Sequence, residues 1–349
     1  MVPLFFYLFS SIQCPIKSKT QLKFAFLGNL QIPLPSYYTM RLSHLYFLAF
    51  LLIAFACKKD PKDNIEGIKK IPTYTETPTL KVENYVNRVF IDLISREPTD
   101  SEMTYFVNFL KENDLQVAAR DTMAYRLQFD TTFSEGEGSY NEAYFQWFYE
   151  KSKGRFYKEL SADEIFLEEI GIVENSAKSD SLNGDTVAFA QKNGELNKLR
   201  NVLRSKNWYR NGEIEFGDMM RFMIFNSVFD FINMNTINMI DASFDNLFYR
   251  YPIQSERNDA FVMIENNASI VFLGQSGSTK EDYVRIVTES REFYNGMVLW
   301  AYKSLMARNP SSLEASYALQ ELYLTKDFQK LERQLITTDE YAQFTPTYK

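Results

Sequence analysis

One pattern occurs three times in this chain, and it limits the folds available more than any other feature. The copies read Leu93-Ile-Ser-Arg96-Glu-Pro98-Thr-Asp-Ser-Glu102, Leu247-Phe-Tyr-Arg250-Tyr-Pro252-Ile-Gln-Ser-Glu256 and Leu305-Met-Ala-Arg308-Asn-Pro310-Ser-Ser-Leu-Glu314. Each is Leu-x-x-Arg-x-Pro-x-x-x-Glu, and the likeness continues upstream without a gap. A repeat of this kind is one supersecondary unit that buries its apolar face only by stacking on neighbours. Upstream of the first copy, Val86, Val89, Phe90, Leu93 and Ile94 follow the i, i+3, i+4, i+7, i+8 spacing of an amphipathic helix. Pro98 ends that helix, because the residue before a proline avoids helical geometry. Thr99-x-x-Glu102 then forms a capping box for a second helix, whose apolar face is Met103, Phe106, Val107 and Leu110. A third helix from about Leu115 to Phe129 closes the unit.

The third copy repeats the plan, with Ser311-x-x-Glu314 as its box. In the second copy Ile253 stands at the cap position, so the cap is expected from Ser255. The expected fold is mainly α: a helical repeat or multi-helix bundle of helix–turn–helix units at 82–135, 237–293 and 294–349. Residues 136–236 form a helical insertion. Within it, Phe145, Phe148 and Tyr149 followed by Ser161-x-x-Glu164 read as a worn copy of the pattern, and residues 174–195 read as a mobile polar loop. Phe216 to Ile240 is apolar nearly all round, as a central buried helix would be. A Met/Phe-rich groove for a partner is the sharper alternative.

The motif arginines invite two readings. An arginine in the last turn of a helix favours the negative end of the dipole. It is also in reach of the glutamate of its own motif, which makes Arg96–Glu102, Arg250–Glu256 and Arg308–Glu314 structural clamps around Pro98, Pro252 and Pro310. The alternative is a row of guanidinium groups for carboxylates or phosphates. The partner built into each motif favours the clamp.

Residues 1–56 contain no Asp or Glu. Met40-Arg41 through His44, the apolar run Leu45 to Ala56 and then Cys57-Lys-Lys-Asp60 form a signal-peptide pattern over 40–56, the run being short for a bilayer span. An uncleaved anchor helix is the alternative. Residues 1–39 are expected to be an upstream extension from a misplaced start. Ala54-Phe-Ala-Cys57 resembles a bacterial lipoprotein box, with Cys57 as the lipidated residue, and the charged residues behind it resemble lipoproteins of the Bacteroidetes group. Residues 57–81 are expected to be a disordered tether.

Removing residues 1–56 leaves 34 basic against 45 acidic residues, a net charge of −11. Such a surface argues against nucleic acid as a partner. The only histidine is His44, so the remaining chain has no Ser-His-Asp or Cys-His site and no His-ligated zinc or haem. No cofactor or metal motif is present. Phe272-Leu-Gly274-Gln-Ser-Gly277-Ser-Thr-Lys280 is a near miss of a phosphate-binding loop: Thr279 replaces the glycine before the lysine and Glu281 the hydroxyl residue after it. A turn capping a helix from about Lys280 is the expectation. Glu164, Glu168 and Glu169, or Asp218 and Asp230, are the carboxylates available for acid/base work, with no pair singled out.

The Arg-x-Pro core with its following Glu, and the ending Asp339-Glu-Tyr341, resemble the α-helical repeat related to phycobilisome linker domains, with its Leu-Leu-Gly-Arg-x-Pro core. Ser95, Tyr249 and Ala307 stand where that family has glycine. The resemblance implies a structural motif, a scaffolding role and no catalytic residues. Asp180-Ser-Leu and Asp185-Thr-Val resemble the O-glycosylation sequon of exported Bacteroidetes proteins, at Ser181 and Thr186. The expectation is a lipid-anchored, exported, non-catalytic binding or scaffolding protein of the outer membrane or cell surface, held by its lipid and meeting other envelope proteins. A carboxylate-only enzyme of carbohydrate processing and an accessory subunit of a secretion or uptake complex are the alternatives.

Overall fold

The computed structural model describes residues 72–134 and 138–348. The expected signal peptide with Cys57, the expected upstream extension and the expected tether up to residue 71 lie outside the described residues. The described chain is mainly helical.

The first unit is α1 (Thr79–Ile94), α2 (Asp100–Glu112) and α3 (Val117–Phe129). The second is α9 (Thr236–Phe248), α10 (Gln254–Glu265) and α11 (Lys280–Glu289), with the hairpin β4 (Ile270–Phe272)–β5 (Gln275–Gly277) between α10 and α11. The third is α12 (Arg291–Ala301), α13 (Ser312–Thr325) and α14 (Phe328–Ile336), ending in the short α15 (Asp339–Ala342). Between units one and two lie α4 (Tyr140–Tyr157), α5 (Asp163–Leu182), α6 (Thr186–Arg210), α7 (Phe216–Ile224) and α8 (Ser227–Asn233).

The units do not stack into an open row. The third returns to the first: α14 lies against α3, and Arg88 of α1 donates to the carbonyls of Tyr341 (3.0 Å) and Leu305. The chain ends meet as well, where β1 (Pro72–Thr73) pairs antiparallel with β6 (Thr347–Tyr348). This corrects the extent of the tether. Tyr74 is buried, its hydroxyl donates to Asp339 at 2.8 Å, and helix α1 begins at Thr79. Tyr74 gains enough apolar burial to order a stretch whose prolines and threonines read as linker.

Three expectations within the insertion are overturned. Residues 174–195 are not a loop but the end of α5 and the start of α6, an antiparallel pair joined by a tight turn at Asn183–Asp185. The polar residues there are the solvent faces of two helices, while Val173, Ala177, Leu196 and Leu199 supply the buried faces. Gly184 (φ +77°) makes the reversal and Asp185 caps α6 by accepting from the Ala188 amide at 2.9 Å. Second, Phe216–Ile240 is not one helix. Asn226 caps α8 and Asn235 caps α9, each accepting a backbone N–H three residues on, which breaks the run twice. Phe231 and Met234 are left largely exposed. Third, Ser161 does not cap a helix: Ala162 holds that position with no side-chain bond.

The central helix is α4, which touches α1, α3, α6, α7, α8 and α9. Its start is a Ser139-x-x-Glu142 capping box. Its buried residues run from Tyr140 through Tyr144, Phe148 and Phe156 to Tyr157.

Candidate functional site

At each repeat the arginine forks onto its own glutamate. Arg96 donates to Glu102 at 2.8 and 2.6 Å, Arg250 to Glu256 at 2.7 and 2.7 Å, and Arg308 to Glu314 at 3.0 and 2.7 Å. Each glutamate also accepts the backbone N–H at the start of the following helix, from Thr99, Ile253 and Ser311. Ser255 therefore plays no capping part in the second copy; the glutamate half of the box is present and Ile253 has no oxygen to supply the other half. Arg250 and Arg308 each hold a second carboxylate, Glu292 of α12 and Glu340 of α15. The Arg250–Glu292 bond ties the second unit to the third, and Arg308–Glu340 ties the third unit's joint to its own last helix.

The residue before each motif arginine has a left-handed backbone: Ser95 φ 59°, Tyr249 φ 59° and Ala307 φ 53°. This is the position at which the resembling repeat carries glycine, and the reason is the Cβ clash of that conformation, about 1 kcal/mol for a non-glycine residue. Ala307→Gly is expected to raise stability by up to about 1 kcal/mol. Tyr249→Gly should instead lower it, because Arg155 and Lys303 both sit 4.5 Å from the centre of the Tyr249 ring. Urea unfolding of the two variants checks both signs.

Burial alone would push the Glu102 carboxyl up. The Arg96 guanidinium, the Thr99 amide and the Tyr140 hydroxyl outweigh it and bring the group down to about 2. A carboxyl depressed in the folded state adds stability that is complete above its unfolded value and lost as pH falls through the folded one. Stability should thus decline between about pH 4.5 and 2, and Glu102→Gln should flatten that limb. Chemical denaturation at pH 7, 4 and 2.5 measures it.

A cleft of about 530 Å³ opens beside the first of these joints, between α1, α4 and α6. Ile94, Ala143 and Phe145 form its floor and Arg96 its rim. Two rows face each other across it. Glu142, Gln146 and Glu150 stand four residues apart on α4, so they share one face. Arg210 and Lys206 do the same on α6. The pairs run antiparallel: Arg210 donates to Glu142 at 3.1 Å and Lys206 donates to Gln146. Gln146 in turn donates to Glu150 at 2.8 Å, and Glu150 lies 3.2 Å from the Lys153 ammonium. Trp147 is half-buried on the wall, its indole N–H given to the Asp92 carbonyl at 3.0 Å. Glu142 caps its own helix through the Ser139 amide at 3.3 Å.

Of the carboxylates singled out from sequence, none lines this cleft. Glu164 is exposed. Glu168 and Glu169 border a smaller, mainly apolar groove with Phe231 and Ser227. As successive helical residues they point about 100° apart, and Glu169 accepts the Ser227 hydroxyl at 3.3 Å. Asp218 and Asp230 line two different clefts; Asp218 is held by Arg221 at 2.6 Å and Asp230 by Lys280. Thr279 caps α11 through the Asp282 amide at 3.0 Å, and the Leu273–Gly274 turn ahead of it only joins β4 to β5. Ser181 and Thr186 are exposed beside the α5–α6 turn, in helical rather than loop backbone. No group of three or more Cys, His, Asp or Glu among the described residues is placed to hold a metal. No helix among them is long and apolar enough to cross a membrane.

The cleft residues were legible only as spacing. Glu142/Gln146/Glu150 and Lys206/Arg210 are i, i+4 rows, but sequence does not say that the rows face each other. Comparison with family models, curated proteins and solved structures finds no match for this chain.

Proposed function

We propose that this chain is a lipid-anchored binding protein of the bacterial cell envelope whose helical body presents the α1–α4–α6 cleft to a small polar ligand, without catalysing a reaction. The observation that carries the binding reading is the state of the cleft's side chains. Glu142 is held by Arg210, and Glu150 by Lys153 and Gln146. Carboxylates held in this way present fixed, charged acceptors that orient a ligand. Roughly 300–1,000 Å³ is the usual size of a small-molecule site, and this cleft falls inside it. The anchor rests on Cys57 at the end of its apolar run. The repeats supply the rigid frame, with interlocked arginines at the joints, and the acidic surface suits meeting other envelope proteins rather than nucleic acid.

Two measurements test the parts separately. Radioactive palmitate should label the wild type and spare Cys57→Ala; equal labelling of both removes the anchor. A thermal-shift screen of small polar metabolites should yield ligands that stabilise the wild type by mass action. The same ligands should have no effect on Ala143→Trp, whose indole fills the cleft floor. Equal shifts in both proteins would place binding elsewhere.

A further inference from the structure

We propose that the cleft takes a sugar acid, with its carboxylate at Lys206 and its ring against Trp147; this rests on the cleft being the ligand site.

Charge singles out Lys206. Arg210 has Glu142 and Arg96 has Glu102, but Lys206 donates a hydrogen bond to the neutral amide oxygen of Gln146 and lies 5.5 Å from the centre of the Tyr149 ring. No described ion pair includes it. A carboxylate arriving in the cleft replaces a neutral acceptor by a charged one, and charge-assisted hydrogen bonds are about twice as strong. Gln146 loses little, since its amide N–H remains on Glu150 at 2.8 Å. The protein carries a formal −7, so an ammonium with no carboxylate partner among the described residues lets this cleft select anions where the general surface does not attract them.

The rest of the cleft suits a polyhydroxylated ring. The Trp147 ring is fixed because its N–H is committed to Asp92, which leaves a rigid apolar surface for the C–H face of a pyranose. Around it stand acceptors (Glu142, Glu150), a donor (Arg210) and the amide of Asn207, which supplies both. Sugar hydroxyls donate and accept, so they need that mixture. The apolar side chains of the lining, Ile94, Ala143, Phe145 and Trp147, stand among polar and charged ones, which does not favour a lipid.

The test uses the full chain with glucuronate, glucose and acetate as probes, followed by calorimetry and by saturation transfer to the ligand protons. Glucuronate is expected to bind about tenfold or more tightly than glucose, which corresponds to one added charge-assisted contact. Acetate should bind more weakly than either. Lys206→Met should bring glucuronate down to the glucose level and leave glucose unchanged. Trp147→Ala should weaken both sugars and Trp147→Phe should restore part of the loss, with circular dichroism confirming that each variant is folded. Lys303→Met, remote from the cleft, should change nothing. Equal binding of both sugars, unaffected by Lys206→Met, overturns the acid requirement and leaves the cleft standing as the site. Acetate binding as tightly as glucuronate overturns the sugar ring. Glucuronate binding that survives both Lys206→Met and Trp147→Ala overturns the cleft reading itself. Absence of binding by either sugar at about 10 mM, a concentration that would reveal even millimolar affinity, overturns the ligand class.

Discussion

Gly296→Ala should be the most damaging single-methyl change in this protein, costing about 3 kcal/mol, at the upper end of what overpacking inflicts. A Cβ at this position would stand 1.8 Å from the Leu247 carbonyl oxygen, 2.9 Å from its carbon and 3.1 Å from the Phe248 Cα. All three are backbone atoms, so no rotamer change relieves the clash; α12 and α9 must separate. That contact joins the third unit to the second beside the Arg250 joint, so separation also strains the Arg250–Glu292 bridge. Helix propensity works the other way, since alanine is about 1 kcal/mol better than glycine inside a helix. Gly171 and Gly194 show nothing within 4 Å of an added Cβ. Their alanine variants should therefore gain about 0.5–1 kcal/mol. Urea midpoints of the three variants decide the matter, and a Gly296→Ala protein as stable as Gly171→Ala would refute the close approach of the two helices.

Glu332→Ala is expected to cost about 3 kcal/mol or more, the range for breaking a buried charge pair by removing one partner. Glu332 is 1% exposed. It accepts from the Tyr144 hydroxyl at 2.6 Å, from Gln128 at 3.4 Å and from the Lys151 ammonium at 3.2 Å. These partners come from α4 and α3, so one carboxylate of the third unit binds both the insertion and the first unit. Truncation leaves a mostly buried ammonium without its counter-charge and a fully buried phenol without its acceptor. Burial, the largest cause of the raised Tyr144 phenol, persists in the variant, so the phenol does not ionise to compensate. Glu332→Gln retains an acceptor for Tyr144 and should lose roughly half as much, about 1–2 kcal/mol. Thermal unfolding of the two variants separates the hydrogen bond from the charge.

Both predictions concern contacts between units, and these are where reading the sequence stopped. The helices of the repeats were visible because a 3.6-residue apolar period and an S/T-x-x-E cap are local signals. Thr99–Glu102 and Ser311–Glu314 form their boxes as the spacing implied. The glycine position of the resembling repeat acquires its meaning from three left-handed residues, Ser95, Tyr249 and Ala307. In the insertion the same kind of reading failed for identifiable reasons. Asn226 and Asn235 break an apolar run by capping, and their side chains compete with the helix in a way that hydropathy does not register. The α5–α6 pair looked like a loop because two solvent-facing helices meeting at a glycine turn are polar on average. Its buried residues are few: four on α5 and four on α6.

The arginine joints also changed character. Arg250 and Arg308 are each saturated by two carboxylates. Arg96 performs the same clamp while forming the rim of the cleft. Of the three copies, the first is therefore the one in which a structural motif borders a ligand-sized space. A variant at Arg96 affects joint and cleft together, so Arg308 is the better position for isolating the cost of a clamp.

By itself the sequence determined the mainly helical class of fold, the capping boxes of the first and third copies and the pairing of each arginine with a glutamate six residues on. These follow from interactions within about ten residues, whose geometry a helix dictates. Only the tertiary structure decided that the units close on one another instead of stacking in a row, that α4 rather than the Met/Phe-rich run is central, and that the rows Glu142–Gln146–Glu150 and Lys206–Arg210 confront each other. Those outcomes depend on side chains 60 to 250 residues apart finding matched surfaces. Such matching is a property of shapes in three dimensions, and a one-dimensional period carries no record of it.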